Sequence, residues 1–572
     1  MTPQKSTTGQ PVNELMLQVM GYHQTTKHHF YRYARALGYM DWANQPNPFR
    51  RYEDAALIRL PLLRSDDPPV SPAYDGIYHP TIVPVQPVTV AMLSRFLEYA
   101  LALSAWKQAG DTRWALRMNP SSGNLHPTEG YLLLNGMAGV GEGPGLYHYA
   151  PKEHGLERRA DWPPDLFAAL MRDFPPEAFL LGLTSIHWRE SWKYGERAFR
   201  YCQHDVGHAI GSARMAAATL GWKMVLLDDA GDEDIVALLG IGRDGDYGEA
   251  EREHPDCLAV VWPGIAETPR SLPLAIESDL IPQIDRVTWH GTANRLSRDK
   301  PDPWEIIDVV AAASWKPRTG LRTIELGRAA AASSDPSLFE SDQNLPAGRI
   351  IRQRRSALAF DGQTPISAAR FYLMLTRVMP RSDRALPQRP MPWDAVPWEA
   401  AIHLALFVHR IEGIAQGLYV LVRDPAKLAQ VRDAMHAHFV WTRPPECPDE
   451  LPLYCLQEGD ARQLATQVSC HQEIAGAGAF SMGMLAEFEP TIGNHGPWFY
   501  RRLFWETGLI GQVLYLEAEA AGLRATGIGC FFDDPVHQAF GLQDTRFQSL
   551  YHFTVGRPVD DPRLTTLPAY GD

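Results

Sequence analysis

The sequence predicts an α+β protein built as two related halves, and three observations carry that expectation. The chain has 572 residues, and single hydrophobic cores stop growing at ~250 to 300 residues, so at least two are needed. An internal echo runs at one offset, 301 residues, without a gap: Ala178-Phe179 returns as Ala479-Phe480, and Gly182, Gly207, Gly221 and Gly240 return as Gly483, Gly508, Gly522 and Gly541. A glycine-rich chain supplies about one such match by chance, so four in register indicate duplication. Strands and helices intermix without a regular βαβ period, which favours an α+β sandwich with an antiparallel-rich sheet over a doubly wound one.

Taken in order, Val90 to Gly110 carries Leu93, Phe96, Leu97, Leu101 and Trp106 at helical spacing and reads as a helix, followed by a loop and a strand at Tyr131 to Leu134. The turn Gly-Val-Gly-Glu-Gly-Pro-Gly separates that strand from Leu146 to Ala150, as in a hairpin. The same pattern recurs as a strand at Ala401 to Arg410, a turn at Glu412 to Gly417 and the answering Gly417-Leu-Tyr-Val-Leu421. Each half continues with a long helix ending in glycine (Ala198 to Gly221; Tyr500 to Gly522) and a last strand (Leu258 to Trp262; Tyr551 to Val555). The expected divisions are 1–285 and 343–572 for the halves and 286–342 for a linker containing a helix at Trp304 to Ala313.

Composition narrows the function. Hydrophobic residues make up 45% and charged residues 21%, the balance of a globular chain. A net charge of -13 offers no electrostatic footprint for nucleic acid or an anionic membrane, so a small-molecule partner is expected. The N-terminus lacks an apolar signal region and no run of ~18 apolar residues occurs, which predicts a cytoplasmic protein with no membrane span. The six cysteines are too sparse and irregular for a disulfide framework or zinc knuckle and read as reduced thiols. His204 and His208 have metal-ligand spacing, but no third ligand follows, so no metal is assigned.

Four segments carry chemistry. Asn119-Pro-Ser-Ser-Gly-Asn-Leu-His-Pro127 packs two hydroxyls, two carboxamides and a glycine into nine residues; a helix-capping turn would use the same residue types. Arg352-Gln-Arg-Arg-Ser356 suits phosphate through forked guanidinium donors, or forms a solvated charged face. Gly527-Ile-Gly529 follows a long helix, and its glycines would let backbone N–H groups approach a ligand. It lacks the third glycine and preceding strand of a dinucleotide fingerprint. The fourth is Gly556-Arg557-Pro, with Arg563 soon after.

Together these segments resemble the nitroreductase superfamily, and within it the SagB-type azoline dehydrogenases that mature thiazole and oxazole peptides. The likeness spans roughly Pro87 to Gly264 and Ala347 to Pro558, with Asn119 to Leu134 the most specific phrase. It implies FMN at an interface between two subunits, here replaced by two halves forming an intramolecular pseudo-dimer. Ser121, Ser122 and Asn124 would come from half one, and Arg352, Arg354, Arg355, Ser356, Gly527, Ile528 and Gly529 from half two, with Arg557 or Arg563 on the phosphate. Half one has no Arg-Arg-Ser or Gly-x-Gly segment and half two no Ser-Ser-x-Asn turn, so one site is expected to be complete and its mirror decayed. Leu358 departs from the family, which usually has Lys or Arg two residues after the motif serine. Lys193 and Tyr194 resemble the Lys-Tyr pair placed near the flavin as base and acid, provided burial lowers the lysine pKa; amphipathic packing explains a Trp-Lys-Tyr equally well. The implied activity is hydride transfer between flavin and an organic or peptide substrate, with NAD(P)H a candidate donor; the alternative is a degenerate flavin fold acting as a binding or partner subunit.

Overall fold

The computed structural model describes residues 12–64, 67–79, 82–264, 271–326 and 345–571. Residues 1–11, residues 327–342 of the expected linker and the first two of the expected second half lie outside these.

Each half is built on one antiparallel sheet. In half one the strands are β1 (Thr128–Leu134), β2 (Gly145–Ala150), β3 (Gly155–Asp161), β4 (Phe179–Ser185), β5 (Trp222–Leu226) and β6 (His254–Pro263). Half two has β7 (Ile402–Val408), β8 (Gly417–Leu421), β9 (Leu453–Glu458), β10 (Phe480–Glu487), β11 (Arg524–Ile528) and β12 (Phe547–Gly556). The spatial order is β3-β2-β1-β4-β6-β5 in the first and β9-β8-β7-β10-β12-β11 in the second, one topology twice. The glycine echo sits at equivalent register: Gly182 lies between Tyr131 and Leu258, and Gly483 between Ala405 and His552. Central strands β1, β4, β7 and β10 are buried along their whole length because helices or the other half cover both faces.

Five helices position the site: α1 (Val90–Ala100), α2 (His187–Tyr194), α3 (Ala198–Thr219), α4 (Ala347–Gln353) and α5 (Phe499–Ala520). All of α3 is buried, although it carries Arg200, His204, Asp205, His208 and Arg214. It is enclosed between its own sheet and α5 of the other half, and its polar groups find partners there. The crossing of α3 and α5 is set by the echoed pair Gly207 and Gly508. A Cβ on Gly207 would stand 2.2 Å from the Trp505 carbonyl oxygen, and one on Gly508 2.2 Å from that of His204. Across the same contact Trp505 donates to Gln203 at 2.6 Å, and His204 Nδ1 meets Thr507 Oγ1 at 3.0 Å. One apolar core therefore runs through both halves, with a smaller outer core behind each sheet.

Several expectations are corrected. The helix expected over Val90 to Gly110 stops at Ala100, and Leu103–Ala109 pairs as a strand with Thr112–Arg117. C-terminal residues Thr565–Leu567 add to that hairpin, so the end of half two is stitched onto half one. The expected linker is ordered against half one as far as Leu326: Thr288–Trp289 pairs with β3, Thr292–Ala293 with Tyr52–Glu53, and Thr323–Glu325 with Ser271–Pro273. The Gly527 segment does follow the long helix α5, and Gly527 itself lies in strand β11.

Candidate functional site

A cavity of about 860 Å³ opens between the halves. Ser121, Ser122, Gly123 and Asn124 line it from half one, and Arg352, Arg354, Arg355, Ser356 and Gly527 from half two. The Thr565–Leu567 stitch closes one side through Leu564 and Thr566, opposite Lys107 and Trp114 of the half-one hairpin.

The Ser/Asn turn bridges strand Thr112–Arg117 and β1. Its chain reversal uses left-handed conformations at Gly123 (φ 63°) and Asn124 (φ 56°), which asparagine and glycine tolerate best. Asp205 of α3 accepts from the Ser122 amide at 3.2 Å, and Ser121 Oγ accepts from the His126 amide at 2.8 Å. The Asn124 carboxamide has no hydrogen-bond partner among the described residues and faces the cavity. Burial pushes the Asp205 carboxyl up to about 8, and its neighbour Glu190, which accepts from Ser121 Oγ at 3.4 Å, is raised by burial and by Asp205. Burial thus biases both carboxyls behind the turn towards the protonated form.

On the other side, α4 ends at Gln353 and the chain extends through Arg354, Arg355 and Ser356 to form a parallel bridge with Ala525 of β11. The Arg-Arg-Ser and Gly-x-Gly segments are thereby joined. Tyr515 of α5 ties them again: its hydroxyl lies 2.9 Å from Ser356 Oγ and accepts from the Gly527 amide at 2.9 Å. A Cβ at Gly527 would fall 1.8 Å from the Tyr551 hydroxyl oxygen, so no side chain fits there.

The guanidinium groups differ sharply. Arg352 is committed to Glu98, at 2.8 Å from Nε and 2.7 Å from Nη2, and stacks on Tyr99. Arg354 is 4% exposed and has no carboxylate partner among the described residues. One Nη donates to the Arg117 carbonyl at 3.0 Å, the group lies over the Tyr515 ring, and Nε has no partner. Burial lowers its pKa. Arg355 donates only to the carbonyls of Arg352, Arg354 and Ser104, and burial followed by repulsion from Arg354 lowers it to about 10. A buried cation with an orphaned donor is costly unless a ligand completes it. A free carboxamide and buried cations without a bonded carboxylate, facing one cavity, suit a polar, anionic group such as FMN.

Other expected residues fall elsewhere. Ile528 is buried in the outer core of half two, and the Gly529 position is closed by the Tyr201 ring, 2.1 Å from where a Cβ would stand. Arg557 is exposed and caps the Gly522 carbonyl at 3.3 Å; Arg563 is exposed and held by Asp561 of its own loop. Neither lines the cavity, whereas Arg524 and Lys107 do. Lys193 and Tyr194 end α2 just behind the turn, where a Cβ on Gly123 would meet Tyr194 Oη at 2.7 Å and Lys193 Nζ at 3.0 Å. Burial raises the Tyr194 pKa, so the phenol is protonated. Lys193 is exposed, not buried as its expected role required. His204 and His208 face Thr507 and the Tyr551 hydroxyl.

The mirror position, 301 residues away, is built differently. Glu506 stands where half one has Asp205, but accepts from the Ala401 amide at 3.0 Å and is locked to Arg423. Arg214 replaces Tyr515 and is paired twice with Asp394, at 2.9 and 2.7 Å. Leu226 replaces Gly527, and buried Trp393 lies under Arg423.

Comparison with known proteins agrees with this architecture. Residues 417–557 match the Nitroreductase family, so the chain carries a nitroreductase family domain. The whole fold is similar to a crystal structure of a nitroreductase-type protein from Anabaena variabilis, with TM-score 0.63 and 21% identity, covering 95% of this chain and 99% of that one. In sequence, 159 residues are 29% identical to a protein of Methanocaldococcus jannaschii assigned to the nitroreductases, covering 27% of this chain and 76% of that one. No helix among the described residues is long and apolar enough to cross a membrane.

Proposed function

We propose that the chain is an FMN-dependent oxidoreductase, a tandem duplication folded as its own pseudo-dimer, binding one FMN in the cavity between the halves. The observation that carries this reading is Arg354: a buried guanidinium with an unpartnered Nε, facing the Ser/Asn turn of the opposite half across one cavity. Arg354, Ser356 and the Gly527 backbone would hold the flavin from half two, and Ser122 and Asn124 from half one. Arg355, Arg524 and Lys107 would face the phosphate in place of Arg557 and Arg563. Bound there, FMN supplies a reversible two-electron acceptor for hydride exchanged with an organic or peptide substrate or with NAD(P)H. Fixed cations favour the negative charge that such a group gains on reduction. Tyr194, a protonated phenol behind the turn, would donate a proton, and Lys193 beside it would exchange protons with solvent. That pair supports the SagB-type, azoline dehydrogenase reading. The paired and filled mirror position supports a single flavin.

The test is flavin content. Protein purified with FMN, then denatured, should release close to one FMN per chain. Two per chain would refute the decayed mirror site, and a colourless protein that FMN cannot reconstitute would favour a binding or partner subunit.

A further inference from the structure

Cys470 and Cys530 meet far from each other in sequence and outside the cavity lining. Their sulfurs lie 2.7 Å apart, both residues are half-buried, and neither is in a disulfide. The two loops are tied together around them: the Gln472 side chain donates to the Cys530 carbonyl at 3.0 Å, and the Phe532 amide to the Val468 carbonyl at 2.8 Å. Cys470 and His471 are both left-handed, with φ of 53° and 57°, a conformation non-glycine residues adopt at a cost. Arg197, fixed by Asp533 at 3.0 Å, donates to the Gly529 carbonyl at 3.3 Å and so sets a buried cation beside Cys530. The remaining cysteines are unlike this pair: Cys202, Cys257 and Cys455 are buried and Cys447 bonds only to backbone carbonyls.

We propose that Cys470 and Cys530 form a redox-active thiol pair that closes to a disulfide by exchange with low-molecular-weight disulfides. The hydrogen bond from Cys470 and then the charge of Arg197 lower the Cys530 pKa, which makes Cys530 the attacking thiolate. It attacks one sulfur of the small disulfide, whose S–S bond breaks, and the departing thiolate takes up a proton. Cys470 then loses its proton and attacks Cys530 Sγ in the mixed disulfide, expelling the second small thiol. Two protein thiols are oxidised and one small disulfide is reduced to two thiols. The new bond would staple the loop that continues directly from Gly527 and Gly529.

The full chain, reduced and then equilibrated with oxidised glutathione, should be quenched by alkylation, digested and weighed by mass spectrometry. A peptide pair linking Cys470 to Cys530, lighter by two hydrogens than the reduced peptides and separated again by dithiothreitol, is the expected result. Cys470→Ser should accumulate glutathione on Cys530, since the resolving thiol is gone. Recovery of both cysteines unlinked, or a stable glutathione adduct on Cys530 in the parent chain, would overturn the proposal. So would a Cys470→Ser protein that stays free of adduct at Cys530.

Discussion

Arg354→Met should move flavin affinity and apo-protein stability in opposite directions. In the apo protein the guanidinium is buried over the Tyr515 ring, its Nε is unpartnered, and the nearest carboxylate influence, from Glu519, comes without a bonded contact. Methionine keeps the stem and removes the charge. An unsatisfied buried donor costs about 1–3 kcal/mol, and for a chain of this size relief of ~1 kcal/mol corresponds to roughly 1 °C in Tm. Loss of a charge-assisted hydrogen bond to FMN should cost about 1.5–3 kcal/mol, or ten- to a hundredfold in Kd. Arg352→Met should instead lower stability and change affinity little, because it removes the closer of the two cations on Glu98 and leaves only Arg95 at 3.7 Å. Stripped protein titrated with FMN by fluorescence quenching, alongside thermal melts without FMN, measures both quantities. Equal flavin loss in the two variants, or an Arg354→Met protein that is less stable yet binds FMN normally, would refute the assignment of Arg354.

Three further outcomes follow from the same geometry. Gly207→Ala and Gly508→Ala should each destabilise by about 1–3 kcal/mol, since either Cβ meets a carbonyl of the facing helix, and thermal melts should show similar losses for both. Asn124→Ala should weaken FMN binding by ~1–3 kcal/mol and lower the apo Tm by only about 1–2 °C, the cost of alanine in a left-handed backbone; unchanged affinity would place the site within half two alone. Asp205 is raised from the ordinary 3.8 to about 8, so between these values the folded protein holds a proton that the unfolded chain does not, and the parent loses stability as pH rises through that window. Asp205→Asn lacks this loss, so its Tm advantage should widen from pH 4 to 8 and then level off; a constant difference across that range would show that Asp205 does not titrate there.

The sequence patterns that survived folding are those set by local rules or by repetition. Gly182 and Gly483 fall at matching register, and the hairpin turns lie where glycine and proline put them. Leu101 and Trp106 continued a helical period only by coincidence: Leu103–Ala109 is drawn into a strand by pairing that includes residues near the C-terminus, a distance no local window spans. The Ser/Asn turn and Arg354-Arg355-Ser356 were legible as dense hydrogen-bonding groups. Asp205 and Tyr515 were not, since each reaches its partner across 83 and 159 residues from the middle of a helix. Breaks in the echo did carry a signal, with Tyr515 opposite Arg214 and Gly527 opposite Leu226. Arg557 and Arg563 were chosen for charge alone, and their exposure and local partners show why charge alone misleads.

The α3–α5 crossing also bears on how such a protein can change. When identical subunits meet about a two-fold axis, every substitution is made twice, so a residue that improves one pocket is imposed on the other. Here the two faces of the crossing are encoded separately, and each position answers only to its own surroundings. Arg214 with Asp394 serves as a rivet on one face while Tyr515 ties together the cavity wall on the other. Where the backbones touch, at Gly207 and Gly508, steric demand holds both positions to glycine.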